Sequence, residues 1–500
     1  MVSSKDHSCP SHASARKVYQ PVDDELLRQP KLEDTECILV HTLPYRHLPV
    51  SSSVKAHADC YCPVLRFPPE IVAEIFKHYL TPTKPEPASQ STTPFHLGHI
   101  CRTWREFVWS SPRLWKVVWL QLDIHFRTNL LLVEEWVSRS GCEPLSIQFT
   151  WKASVSDAEA ERERQRKIYS ELLSIFLRSL RRWQNVDFRI PGNLYGFDVF
   201  QARVRFPRLT RVSVYDLPAL QGTLTTMLCN APNLTEIYCF NCRIQNYILP
   251  LHQLTRVSLR KCTLDECLFM LSGCPRLTCC TFTDATRQVV TVENPVTAPH
   301  LRSLTLSVDS GVLLSQFLGC LKTPIVCELA ITSEFSTILF ESISSLLVRS
   351  SCVGSLQCLL LVGVFIQGEE LFACLELTPN IIELRLSSWH LRSELVTLLN
   401  PYYVRSLPSP RGPGPLLPKL QVLEYEGRPD IRSQDVKNML LSRWHQGTKG
   451  TNVAQLRQVY LGLIPDTSEA PPVVGFPLHY RIAGTHLHVG ITQKLYEGDD

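Results

Sequence analysis

The sequence lacks a long apolar run, an excess of charge of either sign, and the short motifs of common enzyme classes. No stretch approaches the ~18 apolar residues that a membrane-spanning helix needs, so no membrane partner is expected. The 51 basic and 47 acidic residues give a formal net charge of +4, which provides no reason to expect a nucleic-acid partner. No P-loop, nucleophile-elbow or HExxH pattern occurs, and we therefore expect a protein that is not an enzyme.

The N-terminal residues lack the apolar segment of a secretory signal, which predicts a cytoplasmic or nuclear protein with reduced thiols. Six of the 19 cysteines lie close enough in sequence to raise a zinc site as a question: Cys60, Cys62, Cys267, Cys274, Cys279 and Cys280. None has the C-x₂-C spacing, and no H-x₃₋₅-H pair follows them. We therefore expect buried repeat cysteines, and no metal or other cofactor. The alternating His486 and His488 are expected on a surface strand.

The composition divides the chain into five parts. They are a flexible N-terminal extension (1–60), a small apolar domain (61–122), a linker strand and helix (123–182), a repeat region (183–465) with a Pro/Gly-rich inserted loop (401–418), and a C-terminal tail (466–500).

The repeat region is defined by the six-residue frame apolar-x-x-apolar-x-apolar. Frames begin at residues 183, 209, 234, 254, 277, 301, 326, 356, 381, 420 and 456. Most intervals lie in or near the ~20–29 residue period of leucine-rich repeats, and helix-like stretches separate most frames. This alternation predicts an α/β solenoid of about 11 irregular leucine-rich repeats, in which stacking buries the apolar face of each unit.

The frame also predicts which side chains face the concave surface of the sheet. Alternate positions of a strand point to opposite faces, so the third, fifth and seventh residues of a frame point outward. In three consecutive frames these are Arg211, Ser213 and Tyr215, then Glu236, Tyr238 and Phe240, then Arg256, Ser258 and Arg260. In register, they form an alternating charge ladder and a row of aromatic and guanidinium groups.

Tyrosine and arginine are enriched in interface hot spots, so six of these residues are candidates for binding a protein substrate: Arg211, Tyr215, Tyr238, Phe240, Arg256 and Arg260. The alternative is a surface ladder that only stabilises the sheet. The same rule points Cys358, Leu360 and Val362 outward. Either the tail or the long loop covers these apolar residues, or the register slips there.

The segment "FPPEIVAEIFKHYL" from Phe67 predicts an unusually apolar helix. Pro69 suits the first helical position, and the acid that follows it complements the helix dipole. Two apolar stripes run side by side, one through Ile71, Ile75 and Tyr79 and the other through Val72, Phe76 and Leu80. A domain of about 50 residues is marginally stable alone, so this apolar excess indicates contact with a helical partner or with the solenoid.

This segment, the following "ICRTWR" and "SSPRLW" resemble the F-box motif, in the form common in mushroom-type fungi. The matching residues are Pro68, Pro69, Glu70, Ile71, Glu74, Ile75, Phe76, Cys101, Arg102, Trp104, Arg105, Pro112, Leu114 and Trp115. Phe67 stands where the family usually has Leu. The resemblance covers about 55 residues and implies a three-helix F-box-like domain ahead of the solenoid, as in F-box leucine-rich-repeat proteins.

The resemblance implies that the F-box docks a Skp-type adaptor of a cullin–RING ubiquitin ligase while the repeats bind a protein substrate. Candidate adaptor contacts are Pro68, Pro69, Ile71, Ile75, Leu97, Ile100, Trp104, Leu114 and Trp115. Some of them must form the domain's own core, and the sequence does not sort them. The alternative is a leucine-rich-repeat interaction scaffold whose F-box-like helices only cap the solenoid.

Overall fold

The computed structural model describes seventeen parts of the chain. They are residues 64, 67–80, 93–122, 130–151, 159–189, 205–215, 228–244, 248–286, 295–308, 310–333, 340–363, 368–401, 415–430, 433–444, 453–463, 481–482 and 485–490. The N-terminal extension, most of the inserted loop and most of the tail lie outside these residues. From residue 254 onward, α-helices lie between most of the frame strands, as the repeat frame predicts.

The helices are α1 (Pro69–Leu80), α2 (Pro94–Ile100), α3 (Arg102–Trp109), α4 (Leu130–Arg139), α5 (Glu159–Arg178), α6 (Leu264–Gly273), α7 (Gly311–Gly319), α8 (Phe340–Arg349), α9 (Gly368–Leu377), α10 (Ser393–Leu399) and α11 (Ser433–Trp444). The strands are β1 (Val117–Leu122), β2 (Leu145–Trp151), β3 (Trp183–Arg189), β4 (Arg211–Tyr215), β5 (Glu236–Phe240), β6 (Arg256–Arg260), β7 (Cys279–Ala285), β8 (Val296–Thr297), β9 (Ser303–Val308), β10 (Leu321–Lys322), β11 (Glu328–Thr332), β12 (Cys358–Val362), β13 (Glu383–Arg392), β14 (Val422–Asp430), β15 (Gln458–Leu463), β16 (Arg481–Ile482) and β17 (Thr485–Gly490).

One 15-stranded sheet runs through the described chain, in the order β1 to β7, then β9, β11 to β15, β17 and β16. Each strand pairs in parallel with the next, and β16 alone pairs antiparallel, with β17. Strands β8 and β10 form a separate small parallel pair. The sheet begins at β1, two strands before the first frame at Trp183.

The apolar frame positions form the core beneath this sheet. In β6, Val257 and Leu259 are buried while the residues between them face the other side, and β12 repeats the pattern with Leu359 and Leu361. Cys358, Leu360 and Val362 are half-buried on the outward face of β12, in parallel register with both neighbouring strands. The register therefore does not slip there. That the tail or the long loop covers this face stays a prediction, since residues 402–414 and most of the tail lie outside the described part.

The threonines at the second frame position of the early repeats form a ladder of hydrogen bonds from one repeat to the next. Thr210 donates its hydroxyl to the carbonyl of Gln184, and Thr235 donates to Thr210. Thr255 continues the ladder to Thr235, and Thr278 continues it to Thr255, with O···O distances of 3.0 to 3.4 Å along the series. These bonds supply donors to carbonyls at the turn into each strand, and so they help hold successive repeats at a fixed spacing.

Arginines near helix ends make a second link between repeats. Arg443, in the last turn of α11, is fully buried and donates to three backbone carbonyls: Leu399 at 2.6 Å, Leu416 at 2.6 Å and Leu417 at 3.1 Å. Burial lowers the pKa of Arg443 to about 10, so the guanidinium stays charged at neutral pH. Its fork joins the end of α10, at Leu399, to the segment that precedes β14, at Leu416 and Leu417, which a smaller cation could not span together.

The same arrangement recurs at two other helix ends. Arg349 donates to the carbonyls of Leu321 at 2.9 Å and Leu318 at 2.5 Å, where α7 ends. Arg182, which follows α5, donates to the carbonyl of Glu143 at 3.0 Å, just beyond α4. These bonds supply donors to backbone carbonyls at or just beyond the end of the preceding helix.

We expect Arg443→Met to lower the free energy of unfolding by about 2 kcal/mol or more, because three buried carbonyls lose their donors. Arg443→Lys should recover only part of this loss. Chemical denaturation of the three proteins, with exposed Arg457→Met as the control, measures the effect. An Arg443→Met protein as stable as the control would contradict this role.

Candidate interaction surfaces

The two predicted apolar stripes of α1 differ in burial. Val72 and Phe76 are buried. Ile71, Ile75 and Tyr79 are 48%, 41% and 47% exposed, and Phe67, just before the helix, is 52% exposed. These last four residues, which we call the apolar stripe, are spaced four apart and therefore follow one face of the helix. They form a row of large exposed apolar side chains beside a face that is already packed.

The buried face of α1 packs on aromatic residues of α3. The ring of Phe76 lies 4.6 Å from that of Trp104 and 5.7 Å from that of Phe107, the latter in an edge-to-face arrangement. Trp104 is half-buried. This predicted adaptor contact therefore supports the domain's core with at least one face, as aromatic pairs of this geometry do.

The second predicted helix is broken at Cys101, which has an extended backbone (φ −157°, ψ 168°). Its sulfur accepts a hydrogen bond from the backbone N–H of Trp104 at 3.4 Å, so Cys101 caps α3. Arg105 joins the two helices by donating from Nε to the carbonyl of Gly98 at 2.8 Å. The continuous apolar spacing of the sequence hid this break.

Three of the predicted adaptor contacts are not on the surface. Leu97, Leu114 and Trp115 are buried. Trp115 donates its indole N–H to the carbonyl of Val108 at 2.7 Å. Its ring makes edge contacts with Phe95 at 4.9 Å and with Trp136 of α4 at 6.3 Å. The small domain therefore shares its core with the helix α4 that follows it, which sequence spacing within the motif does not reveal.

Trp109 completes this aromatic group, with its ring 5.3 Å from that of Trp115. The guanidinium of Arg139, at the end of α4, lies 4.9 Å from the Trp109 ring and 5.5 Å from the Trp115 ring. Such cation–π contacts add to the aromatic packing. The remaining predicted adaptor contacts, Pro68, Pro69, Ile71, Ile75 and Ile100, are exposed.

The concave face has the register that the frames predict. Arg211 pairs with Glu236, and Glu236 pairs with Arg256, across β4, β5 and β6. Arg211 Nε lies 2.6 Å from one carboxylate oxygen of Glu236, while Arg256 Nε lies 4.0 Å from the other. The predicted charge ladder is therefore present, although exposed pairs of this kind contribute only about 0–1 kcal/mol to stability.

The aromatic row lies beside the ladder. The Tyr215 and Phe240 rings stack with centroids 5.8 Å apart, and the Tyr238 ring lies 5.4 Å from that of Tyr215. Arg260 lies 5.6 Å from the Phe240 ring, and its Nε is 2.9 Å from a carboxylate oxygen of Asp284. Stacked rings and guanidiniums therefore form one continuous surface across three strands.

Asp187 and Arg189 of β3 extend this surface. They are the fifth and seventh residues of the frame at Trp183, so the same rule points them outward, although they were not among the predicted binding residues. Their charged groups lie 3.2 Å apart, and the Arg189 guanidinium lies 5.2 Å from the Tyr215 ring. Burial raises the pKa of Asp187, and Arg189 opposes that rise. Burial also raises the pKa of Tyr215, so its phenol stays neutral at physiological pH.

These side chains line a hollow of about 520 Å³ on the concave face. Its principal residues, which we call the arginine–tyrosine hollow, are Asp187, Arg189, Arg211, Ser213, Tyr215, Glu236, Tyr238, Phe240, Arg256, Ser258 and Arg260. Tyr238 stands between Ser213 and Ser258 in the parallel register.

The cysteines set aside in the sequence lie in or beside the repeat core. Cys267, Cys274 and Cys280 are buried and Cys279 is half-buried, whereas Cys60 and Cys62 lie outside the described residues. Burial raises the pKa of Cys274 to about 12, which disfavours the thiolate that metals bind. The described residues contain no group of three or more His, Cys, Asp or Glu placed to hold a metal ion. His486 and His488 lie on β17.

No protein-family model matches the chain, and no curated protein matches it. Among solved structures, it is similar to the crystal structure of a TLR13–ssRNA13 complex, with 15% identity and a TM-score of 0.29. The match covers 57% of this chain and 35% of that chain. The fold is therefore assigned from strand order, register and burial. The repeats form a parallel α/β solenoid that resembles the leucine-rich-repeat type. Within the described residues, no helix combines the length and apolarity needed to cross a membrane.

We expect Gly98→Ala to destabilise the small domain by about 1–3 kcal/mol, because overpacking a filled site forces neighbours to move. An added Cβ would lie 1.9 and 2.2 Å from ring carbons of Trp109. The matched control is Gly319→Ala at the end of α7, where a Cβ would meet nothing within 4 Å. Thermal unfolding followed by tryptophan fluorescence compares the two variants. Equal stability of both would contradict the packing of α2 on Trp109.

Proposed function

We propose that this protein is the substrate-recognition subunit of an SCF-type ubiquitin ligase. In this proposal the apolar stripe docks a Skp-type adaptor, and the concave face of the solenoid binds the protein substrate. The chain supplies proximity while other subunits carry the ubiquitin chemistry, so it is not itself an enzyme. Such a complex operates in the cytoplasm or nucleus, where the chain's many thiols stay reduced.

The exposure of the apolar stripe carries this proposal. Four large apolar side chains, each between 41% and 52% exposed, are aligned on the outer face of a helix whose inner face is packed. Contiguous exposed apolar surface of this kind is typical of protein-interaction sites. Burying the exposed half of each side chain would contribute about 1 kcal/mol per residue. Because α1 is held by its own core, little ordering opposes binding.

The competing function, a scaffold whose first helices only cap the solenoid, has one observation in its favour. The aromatic cluster of Phe95, Trp109, Trp115 and Trp136 joins the small domain to α4, ahead of the first repeat, and so covers apolar surface there. A terminal unit of a solenoid needs such cover. Capping, however, uses the buried face and leaves the apolar stripe without a role. The receptor function accounts for both faces, and we therefore favour it.

We expect the double variant Ile71→Asp with Ile75→Asp to lose binding to a Skp-type adaptor by at least about a hundredfold, because two carboxylates would enter an apolar contact. Co-purification and a binding titration with purified adaptor measure the loss. The matched control is Val312→Asp on α7, whose side chain is 64% exposed. It should bind as the wild type does.

A wild-type chain that is stable and monodisperse but never binds the adaptor would contradict the receptor function and favour the scaffold. A double variant that binds as well as the control would show that the adaptor uses another surface. Circular dichroism of each variant verifies folding, which these exposed positions should not disturb.

A further inference from the structure

We infer that the arginine–tyrosine hollow binds an acidic segment of a protein that also carries an aromatic side chain. This deepens the proposed function, on which it rests, by giving a chemical class to the substrate. The inference comes from three features of the hollow: a surplus of cations, one weakly engaged arginine, and a group of aromatic rings that lines it.

The first feature is the charge of the surface. Arg189, Arg211, Arg256, Arg260 and Lys261 bring five cations to it, with the Lys261 ammonium 5.2 Å from the Phe240 ring. Three carboxylates face them, those of Asp187, Glu236 and Asp284. The surface is therefore positive by two charges, although the whole chain is close to neutral. A ligand with a small number of negative charges complements it.

The second feature is that three arginines have a close carboxylate partner, whereas the ion pair of Arg256 is long. Glu236 lies 2.6 Å from Arg211, Asp187 lies 3.2 Å from Arg189, and Asp284 lies 2.9 Å from Arg260. Arg256 is 65% exposed at its side chain, and its ion pair is 4.0 Å long, to a carboxylate that Arg211 holds more closely. The Arg256 guanidinium can therefore donate two hydrogen bonds to a ligand carboxylate without breaking a short ion pair.

The third feature is the setting of Tyr238. Its ring lies 5.4 Å from that of Tyr215, and in register Tyr238 stands between Ser213 and Ser258 and lines the hollow. Tyr215 stacks on Phe240 just beyond, with cations over both rings. An incoming aromatic ring can lie beside Tyr238 and contact these edges and faces, as aromatic pairs prefer. An acid placed near that ring would reach Arg256, which is one strand away from Tyr238.

The three carboxylates favour a protein segment over a nucleic acid. A sugar–phosphate backbone carries a charge at every nucleotide, and Asp187, Glu236 and Asp284 interrupt the cations along the surface. Repeated phosphates would meet these carboxylates and be repelled. A peptide with one or two acids can instead place each of them on a cation. The concave face continues across neighbouring paired strands, so it can also bind an extended peptide chain.

The test uses the full-length protein and four fluorescein-labelled probes. The probes are a random copolymer of Glu and Tyr, a copolymer of Lys and Tyr, poly-Glu, and oligo(U). Anisotropy should show binding of the Glu/Tyr copolymer, weaker binding of poly-Glu, and no binding of the Lys/Tyr copolymer. Added salt should weaken the binding, since part of it is electrostatic.

Variants assign the binding to the hollow. Tyr238→Ala should weaken binding of the Glu/Tyr copolymer about tenfold, and Arg256→Gln about threefold or more. The matched control is Arg385→Gln on β13, another concave arginine. Its guanidinium is already held by Glu383 and lies 3.2 Å from Glu424. This control should bind like the wild type.

The inference is overturned if the Glu/Tyr copolymer does not bind, if the Lys/Tyr copolymer binds as well, or if oligo(U) binds more tightly. It is also overturned if Tyr238→Ala and Arg256→Gln bind the copolymer as the control does. Adaptor binding is measured on the same preparations. If the adaptor binds while the copolymer does not, the substrate class alone is wrong. If the copolymer binds while the adaptor does not, the ligase function is wrong and the peptide site stands.

Discussion

The in-register parallel pairing of successive strands is the constraint on which the rest of the structure depends. A one-residue slip would move every apolar frame residue, such as Val257 or Leu259, from the core to the concave face. The threonine ladder from Thr210 to Thr278 and the buried Arg443 hold neighbouring repeats at one spacing. Only this fixed register brings side chains that are about 25 residues apart in sequence into a single surface.

The same pairing extends into the small N-terminal domain and removes its independence. Strand β1 follows Trp115 directly and pairs with β2, while the Trp115 ring lies among Phe95, Trp109 and Trp136. The apolar stripe is therefore connected to the sheet through a packed aromatic core. A partner docked on α1 would stand in a defined orientation to the concave face, which is what a proximity-based receptor requires.

Local sequence patterns predicted what depends on local periodicity. The frame predicted the repeats and the register of Arg211, Glu236 and Arg256, which the structure confirms. The features that were missed depend on contacts distant in sequence. The break at Cys101 follows a cap that apolar spacing cannot show. Trp115 is buried partly by Trp136, which belongs to another helix. The N-terminal motif therefore reveals which residues are apolar but not which ones the adjoining helix covers.

The central claim is that the outer face of α1, and not the solenoid, contacts the adaptor. Site-specific photo-cross-linking tests it most directly, with benzoylphenylalanine placed in turn at Tyr79 on the apolar stripe and at Phe269 on α6, both partly exposed aromatic positions. If α1 contacts the adaptor, we expect a cross-link to a Skp-type adaptor from position 79 and none from position 269. A cross-link from position 269 alone, or from neither position although the adaptor is bound, would contradict it.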